Sequence, residues 1–151
     1  MYSATEIASY IKQHYKKFYN DDITEMKLHK LLYYVQRESI IQTNRPLFSE
    51  LFCAYKFGPV MIPIRDCYKN DTFPIAPISS QVANIVDRVF SVYGRTSPWV
   101  LAMMSHNEIS WQNARIGVDL GENSKNTMAN EDIVKDAERI KSIRKTVKKG
   151  L

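Results

Sequence analysis

Few residues of this sequence are spaced as a catalytic group would require. Ser105, His106 and Glu108 lie close together in the chain, and these residue types serve in nucleophilic and acid–base catalysis. However, Ser105 is not part of the Gly-x-Ser-x-Gly turn of a nucleophile elbow, and no two carboxylates have a spacing that defines a catalytic geometry. We therefore interpret His106 as a brace at the junction that positions Trp111, and we predict that the protein is not an enzyme.

The cysteine and histidine residues predict neither a metal site nor a redox site. Cys53 and Cys67 are the only cysteines, and they are far from a C-x-x-C spacing. None of the histidines, at positions 14, 29 and 106, has a second ligand at a helical or zinc-knuckle spacing. We expect both thiols to be buried among apolar residues, and we expect no metal and no cofactor.

The residues best suited to binding a partner lie on one predicted helix, which follows an N-cap at Thr24 and ends near Gln42. Apolar residues recur along it at three- and four-residue spacing and predict a buried stripe: Leu28, Leu31, Leu32 and Val35. We expect the basic and aromatic residues flanking this stripe to be exposed, namely Lys27, Lys30, Tyr33, Tyr34 and Arg37.

Three interpretations of these flanking residues remain open. The first is a solvated helix face on which tyrosine rings pack against lysine stems. The second is a nucleic-acid surface with bases stacked on tyrosine. The third is a protein interface, because tyrosine and arginine are enriched among the residues that dominate binding energy.

A short apolar and aromatic segment over residues 51–55 predicts a buried strand. Gly58 and Pro59 follow it, and we predict that they form a sharp turn into a helix with Pro59 in its first turn. A phosphate-binding loop would require further glycines and a Lys-Ser/Thr pair, which are missing here.

The remaining elements are predicted from caps and breakers. Ser3 and Glu6 match a capping box, Ser79 or Ser80 and the pair Ser97–Pro98 match helix starts, and Gly94 matches a helix end. Further helices are predicted from Ser110 and from Asn130, and the stripe of the last one reaches Val147. We expect both tryptophans, Trp99 and Trp111, in the core. The sequence thus predicts a mainly α, compact, single-domain bundle of about six or seven helices with at most two or three short strands.

Size and charge narrow the functional classes. The chain has 151 residues and a net charge of +5, which fits one domain. Residues 135–149 contain seven basic residues against two acidic ones, a surplus of five. This tail is either solvated or binds weakly and non-specifically, through its positive charge, to nucleic acid or to an acidic protein. The longest apolar run, residues 99–104, is far too short to span a membrane, and no secretory leader is visible. We expect a cytoplasmic protein.

Three motifs in order resemble the Panacea domain, the SocA-like antitoxin family. They are KLHKLLYYVQ at residues 27–36, FCAYKFGPV at residues 52–60 and HNEISW at residues 106–111, and the opening SATEIA also fits. The resemblance covers residues 3–116. Ser110 stands where the family has proline, and residues 117–151, a polar loop and a basic helix packed on or extending from the same domain, match poorly.

The resemblance implies an antitoxin of a bacterial or prophage toxin–antitoxin system. Such a protein would neutralise a toxin encoded in the same operon by direct, stoichiometric binding. We expect the contacts on the exposed part of the second helix and on the segment Tyr55–Lys56. Two alternatives are an adaptor that presents its bound partner to a protease and a nucleic-acid-binding regulator that uses Lys27, Lys30, Tyr34, Arg37 and the basic tail.

Overall fold

A computed structural model describes residues 1–150, except for the side chains of residues 149 and 150. Within that range the helices are α1 (Ala4–Tyr19), α2 (Glu25–Thr43), α3 (Ile62–Asn70), α4 (Ser80–Tyr93), α5 (Pro98–Ser105), α6 (Ile109–Ala114) and α7 (Asn130–Gly150), and the strands are β1 (Cys53–Tyr55) and β2 (Gly58–Val60). The predicted mainly helical, single-domain bundle is confirmed.

The helices begin where short polar side chains can accept a hydrogen bond from the first turn. Ser3 forms the predicted capping box, since its backbone N–H donates to Glu6 at 2.8 Å while its hydroxyl accepts from the Glu6 N–H. Thr24, Ser79 and Ser97 cap α2, α4 and α5, as predicted, and each hydroxyl accepts a hydrogen bond from a backbone N–H in the first turn. These bonds satisfy N–H groups that have no partner within the helix.

Helix α2 runs through the middle of the molecule. It packs against α1, α3, α4, α5, α7 and β2. Every residue from 27 to 40 is buried, whatever its polarity. The predicted apolar stripe lies in the core, as expected. The polar faces of the helix are covered as well, so α2 is a central helix rather than an amphipathic helix at the surface.

The residues after the first strand form a β-hairpin, and the predicted helix start at Pro59 is wrong. Cys53 pairs with Val60 and Tyr55 pairs with Gly58 in an antiparallel ladder, so β2 returns along β1. Gly58 has a φ of 105°, and a Cβ there would clash with Ser105 Oγ and come too close to Lys30 Cε. Proline has no N–H to donate, so it fits an edge strand, which does not need that hydrogen bond, but not a central strand, which does. Helix α3 begins only at Ile62.

Three further predictions are wrong, two about which side chains are buried and one about the residue that caps α6. Trp99 is 60% exposed rather than in the core, and Cys67 is only partly buried. Ser110 does not cap α6, whose N-cap residue is Glu108. The N–H groups of Ile109 and Ser110 instead donate to the carboxylate of Asp136, because α7 packs against this helix end.

Helix α7 is buried at its start and exposed at its end. Ile133 and Ala137 belong to the core, whereas Ile143 and Val147 are exposed, so the predicted stripe leaves the body of the protein before Val147. Arg144 pairs with Glu38 of α2 at 2.7 Å and holds this part of the helix in place. The side chain of Lys149, part of the predicted basic tail, lies outside the described residues. Within residues 1–150, none of the helices combines the length and apolar character needed to cross a membrane.

Candidate functional site

The five residues of α2 predicted to bind a partner are not exposed. Lys27, Lys30, Tyr33, Tyr34 and Arg37 are all at most 6% exposed. The prediction of an exposed flank is therefore wrong. Its physical reason is that elements pack against α2 on every side, and each of these side chains finds a hydrogen-bond partner or a ring within the fold.

Arg37 lies at the centre of an aromatic and acidic cluster. Its Nη1 donates to Glu108 Oε1 at 2.5 Å, and its Nη2 donates to the Tyr93 hydroxyl at 2.8 Å. The guanidinium also lies 4.8 Å from the centroid of the Tyr34 ring, which stacks on Tyr93 with centroids 4.1 Å apart. A guanidinium offers several donors in one plane, so this residue joins α2 to α4 and to the start of α6.

Tyr33 extends the cluster to α7. Its hydroxyl lies 3.0 Å from Glu108 Oε2 and 2.7 Å from Asp136 Oδ2, and it has only one proton to donate to these two carboxylates. Asp136 also accepts from Ser110 Oγ at 2.5 Å and from the Ile109 N–H at 2.6 Å. One carboxylate of α7 thus satisfies both the central helix and the first turn of α6.

Burial is the largest cause of the pKa shifts of Glu108 and Tyr33 in this cluster. It raises the pKa of Glu108, assisted by the nearby Asp136 and opposed by Arg37. Burial likewise raises the pKa of Tyr33 well above its usual value, and the two carboxylates act in the same direction. Glu108 is 4% exposed and Asp136 is 0% exposed. Since solvent reaches almost none of these atoms, the cluster holds four helices together and does not present an acid–base pair to a substrate.

The cationic and histidine side chains near the start of α2 support two connecting segments. Lys27 Nζ donates to the Gly94 carbonyl at 2.6 Å, at the C-terminal end of α4, and Lys30 Nζ donates to the Pro59 carbonyl at 3.1 Å, in the hairpin. His29 accepts from the Met61 N–H through Nδ1, so its Nε2 carries the proton that Glu25 accepts at 3.0 Å. Burial lowers the pKa of Lys30 to about 7, and burial with nearby cations lowers the pKa of His29 to about 3.

Tyr55 and Lys56 are the two predicted contact residues that reach solvent. They lie at the end of β1 and in the hairpin turn, and both are partly exposed. Together with Glu25 and Arg65 they line a cavity of about 260 Å³ between α2, the hairpin and α3. Arg65 pairs with Glu25 at 3.3 Å, and its guanidinium lies 5.8 Å from the Tyr55 ring centroid.

Beside the hairpin turn, helix α5 exposes apolar side chains that sequence reasoning missed. Leu101, Ala102 and Ser105 face the interior. The other face presents large apolar groups to solvent, namely Trp99, Val100, Met103 and Met104. The Phe57 ring of the hairpin turn packs edge-on against the Trp99 ring, with the two ring centroids 5.2 Å apart. The residues of this short helix are apolar on both faces, so the local sequence gives no signal for which face is exposed.

Residues 28–112 match the family model described as antitoxin SocA-like, Panacea domain. The chain belongs to this family. No curated protein and no solved structure is significantly similar to the chain. The match to the SocA-like family begins within α2, includes the hairpin and α5, and ends within α6. It therefore contains the second and third motifs that suggested the resemblance, and all of the first except Lys27.

In this SocA-like chain the motif residues of α2 therefore build the interior, while the hairpin turn and α5 provide accessible side chains. The interpretation of His106 as a brace for Trp111 is confirmed, since its ring stacks on the Trp111 ring with centroids 4.1 Å apart.

Among the described residues, no group of three or more histidine, cysteine or acidic side chains could hold a metal ion.

Proposed function

We propose that this chain is a cytoplasmic antitoxin that neutralises a toxin encoded in the same operon by direct, stoichiometric binding. The match of residues 28–112 to the SocA-like antitoxin family carries this proposal. Membership of that family supports an antitoxin role. The direct binding mode and the identity of the toxin as a product of the same operon are the finer parts of the proposal.

The arrangement of the side chains supports binding rather than chemistry. The acidic, tyrosine and arginine side chains that could have served in catalysis are enclosed in the cluster around Arg37 and Glu108. Accessible groups are concentrated instead at the hairpin turn, where Tyr55 and Lys56 remain our proposed contact residues. A stable complex needs about 1,200–2,000 Å² of buried surface in total, which is enough to cover a toxin's active site.

Growth rescue and calorimetry test this proposal. We would express this chain together with the product of the adjoining gene, and titrate the two purified proteins against each other. We expect growth to be restored and a complex to form with one molecule of each protein. The control is the adjoining gene's product expressed with a protein of similar size from outside the family, which should leave growth arrested.

Two results would contradict direct neutralisation. If the two purified proteins form no complex, this chain does not neutralise the toxin by direct binding. If the complex forms but growth returns only while the toxin's cellular level falls, in a manner that requires a protease, the adaptor alternative is correct. Tight, sequence-dependent binding of nucleic acid at physiological salt would instead favour the regulator, because non-specific attraction by the exposed Lys141 and Lys145 weakens steeply as salt is added.

A further inference from the structure

We infer that the toxin docks on one apolar surface of this chain, formed by Phe57, Trp99, Val100, Met103 and Met104, which we name the α5 surface. The docking segment of the toxin presents apolar side chains to this surface and an acidic side chain to Lys56 at its edge. The inference rests on the proposed function, because it assigns a surface and a partner chemistry to the same binding event.

The first argument is the degree of exposure. Trp99 is 60% exposed and Met103 is 66% exposed, although both belong to a helix whose other face is in the core. Together with Val100 and Met104 they line a shallow depression of about 510 Å³. Contiguous apolar surface of this kind marks binding sites in soluble proteins. Tryptophan frequently dominates binding energy, and methionine adapts its shape to a partner.

Two of the most exposed apolar residues of the chain do not belong to such a surface. Ile75 and Leu120 are both 88% exposed, but each lies in a loop far from the other in sequence, as single exposed apolar residues commonly do. On α5, by contrast, four exposed apolar residues share one short helix, and Phe57 from the hairpin turn adds a ring in edge-on contact with Trp99. The α5 surface therefore combines residues from two elements.

The second argument is that the backbone under this surface is fixed. Lys27 donates to the Gly94 carbonyl at the end of α4, where the chain leaves for α5, and Lys30 donates to the Pro59 carbonyl in the hairpin. Gly58 lies against Ser105 and Lys30 so closely that a Cβ has no room. A surface that is already ordered loses little conformational entropy on binding, so the buried residues of α2 prepare α5 and the hairpin turn for a partner.

The third argument is charge. Residues 94–107 contain one charged side chain, Arg95, and no acidic one. Lys56 lies in the hairpin turn with its Nζ 5.2 Å from the centroid of the Phe57 ring, and within the described residues it makes no ion pair. At the hairpin turn the surface thus has one lysine beside an apolar centre. The complementary partner is an apolar segment flanked by an acidic side chain.

Titration of variants against the adjoining gene's product tests this inference. Trp99→Ala combined with Met103→Ala should weaken binding at least a hundredfold, since it removes the centre of the surface. Lys56→Glu should weaken binding about tenfold and reduce its dependence on salt. The matched control is Phe18→Ala, which removes an aromatic ring of similar exposure, 63%, from α1 and should leave the affinity unchanged. Circular dichroism should show all variants folded.

The outcomes separate the surface from the function. If the wild-type chain binds and the folded double variant binds equally well, the α5 surface is not the docking site while direct neutralisation stands. If Lys56→Glu tightens binding, the acidic partner is excluded. If the wild-type chain sediments as a dimer that the double variant dissociates, the occupant is a second copy of this chain and the inference is overturned. If the wild-type chain itself fails to bind, the proposed function and this inference fail together.

Discussion

Helices α2 and α5 place their residues in opposite ways. Helix α2 encloses two lysines, a histidine, a glutamine and an arginine in the interior, whereas α5 leaves a tryptophan, a valine and two methionines in solvent. The difference teaches that the neighbours of a helix, rather than its residue types, determine what it buries. Polar contacts hold the interior of this domain together along α2, and α5 presents apolar side chains to solvent.

The polar contacts of α2 have a further property that the apolar contacts of a core lack. Each of these hydrogen bonds requires a donor and an acceptor at a defined distance and angle, so it restricts where the segment that it holds can lie. Buried polar groups are costly when they lose a partner, and this cost keeps the hairpin and the end of α4 in place. The comparison is therefore between a scaffold that is specific and a surface that is adaptable.

The largest expected effect breaks the scaffold at Arg37. Arg37→Ala removes the cation that donates directly to the buried Glu108 and leaves only Arg139, 3.9 Å away, so we expect the free energy of unfolding to fall by about 3–5 kcal/mol. The Tyr34→Ala, Arg37→Ala double variant, which an exposed flank would have tolerated, should be at least as unstable. Urea denaturation followed by circular dichroism measures the change, and Arg45→Ala, at an exposed arginine just beyond α2, is the control. A loss below about 0.5 kcal/mol for Arg37→Ala would mean that the side chain is not buried in solution.

A smaller effect depends on pH and tests Lys30. Burial lowers the pKa of Lys30 to about 7, with Glu25 opposing the shift, whereas an unfolded lysine titrates near pH 10.4. Between these two values the unfolded chain binds more protons at this residue, so stability due to Lys30 rises with pH and levels off below pH 7.

We therefore expect the free energy of unfolding of the wild type, minus that of Lys30→Met, to rise by up to about 1.4 kcal/mol per pH unit from pH 7 to pH 10. Urea denaturation across this pH range provides the measurement. Lys69→Met, at an exposed lysine of α3, should show no such growth. A difference for Lys30→Met that is constant with pH contradicts burial of the amine.

The smallest expected effect on the free energy of unfolding is at Trp99, in helix α5. Trp99→Ala should change the free energy of unfolding by no more than about 0.5 kcal/mol, because most of the side chain is already in solvent. The thermal unfolding transition measures this change, and Trp111→Ala, at the buried tryptophan, should cost about 3–5 kcal/mol. An equally large loss for Trp99→Ala would show that the ring is part of the core and is not held available for binding.

Local features of this fold were predictable from sequence, and features that depend on distant residues were not. The caps at Ser3 and Thr24 are recognisable because both partners of each hydrogen bond lie within three residues. The burial of Tyr33 depends on Asp136, which has no local relation to α2. The start of a strand at Gly58 was missed because Gly–Pro fits either a helix start or an edge strand, and only Lys30 and Ser105 distinguish the two.

The candidate surface illustrates the same limit. Tyr55 and Lys56 were identified as contact residues, and both reach solvent. Trp99 was assigned to the core because large aromatic side chains usually lie there, and its sequence neighbours are apolar as well. Whether such a residue is buried depends on how much interior the domain has left once α2, α4 and α7 have packed, which no short sequence segment reveals.

The contact between Tyr33 and Asp136 joins residues that are 103 positions apart in the chain. During synthesis on the ribosome, α2 is complete long before the codon for Asp136 has been read. Until then Tyr33 can donate to Glu108 but not to Asp136, and the N–H groups in the first turn of α6 lack the carboxylate that accepts from them. The link from α2 through Asp136 to α6 therefore forms only after α7 has been made, and a chain interrupted before Asp136 cannot make it.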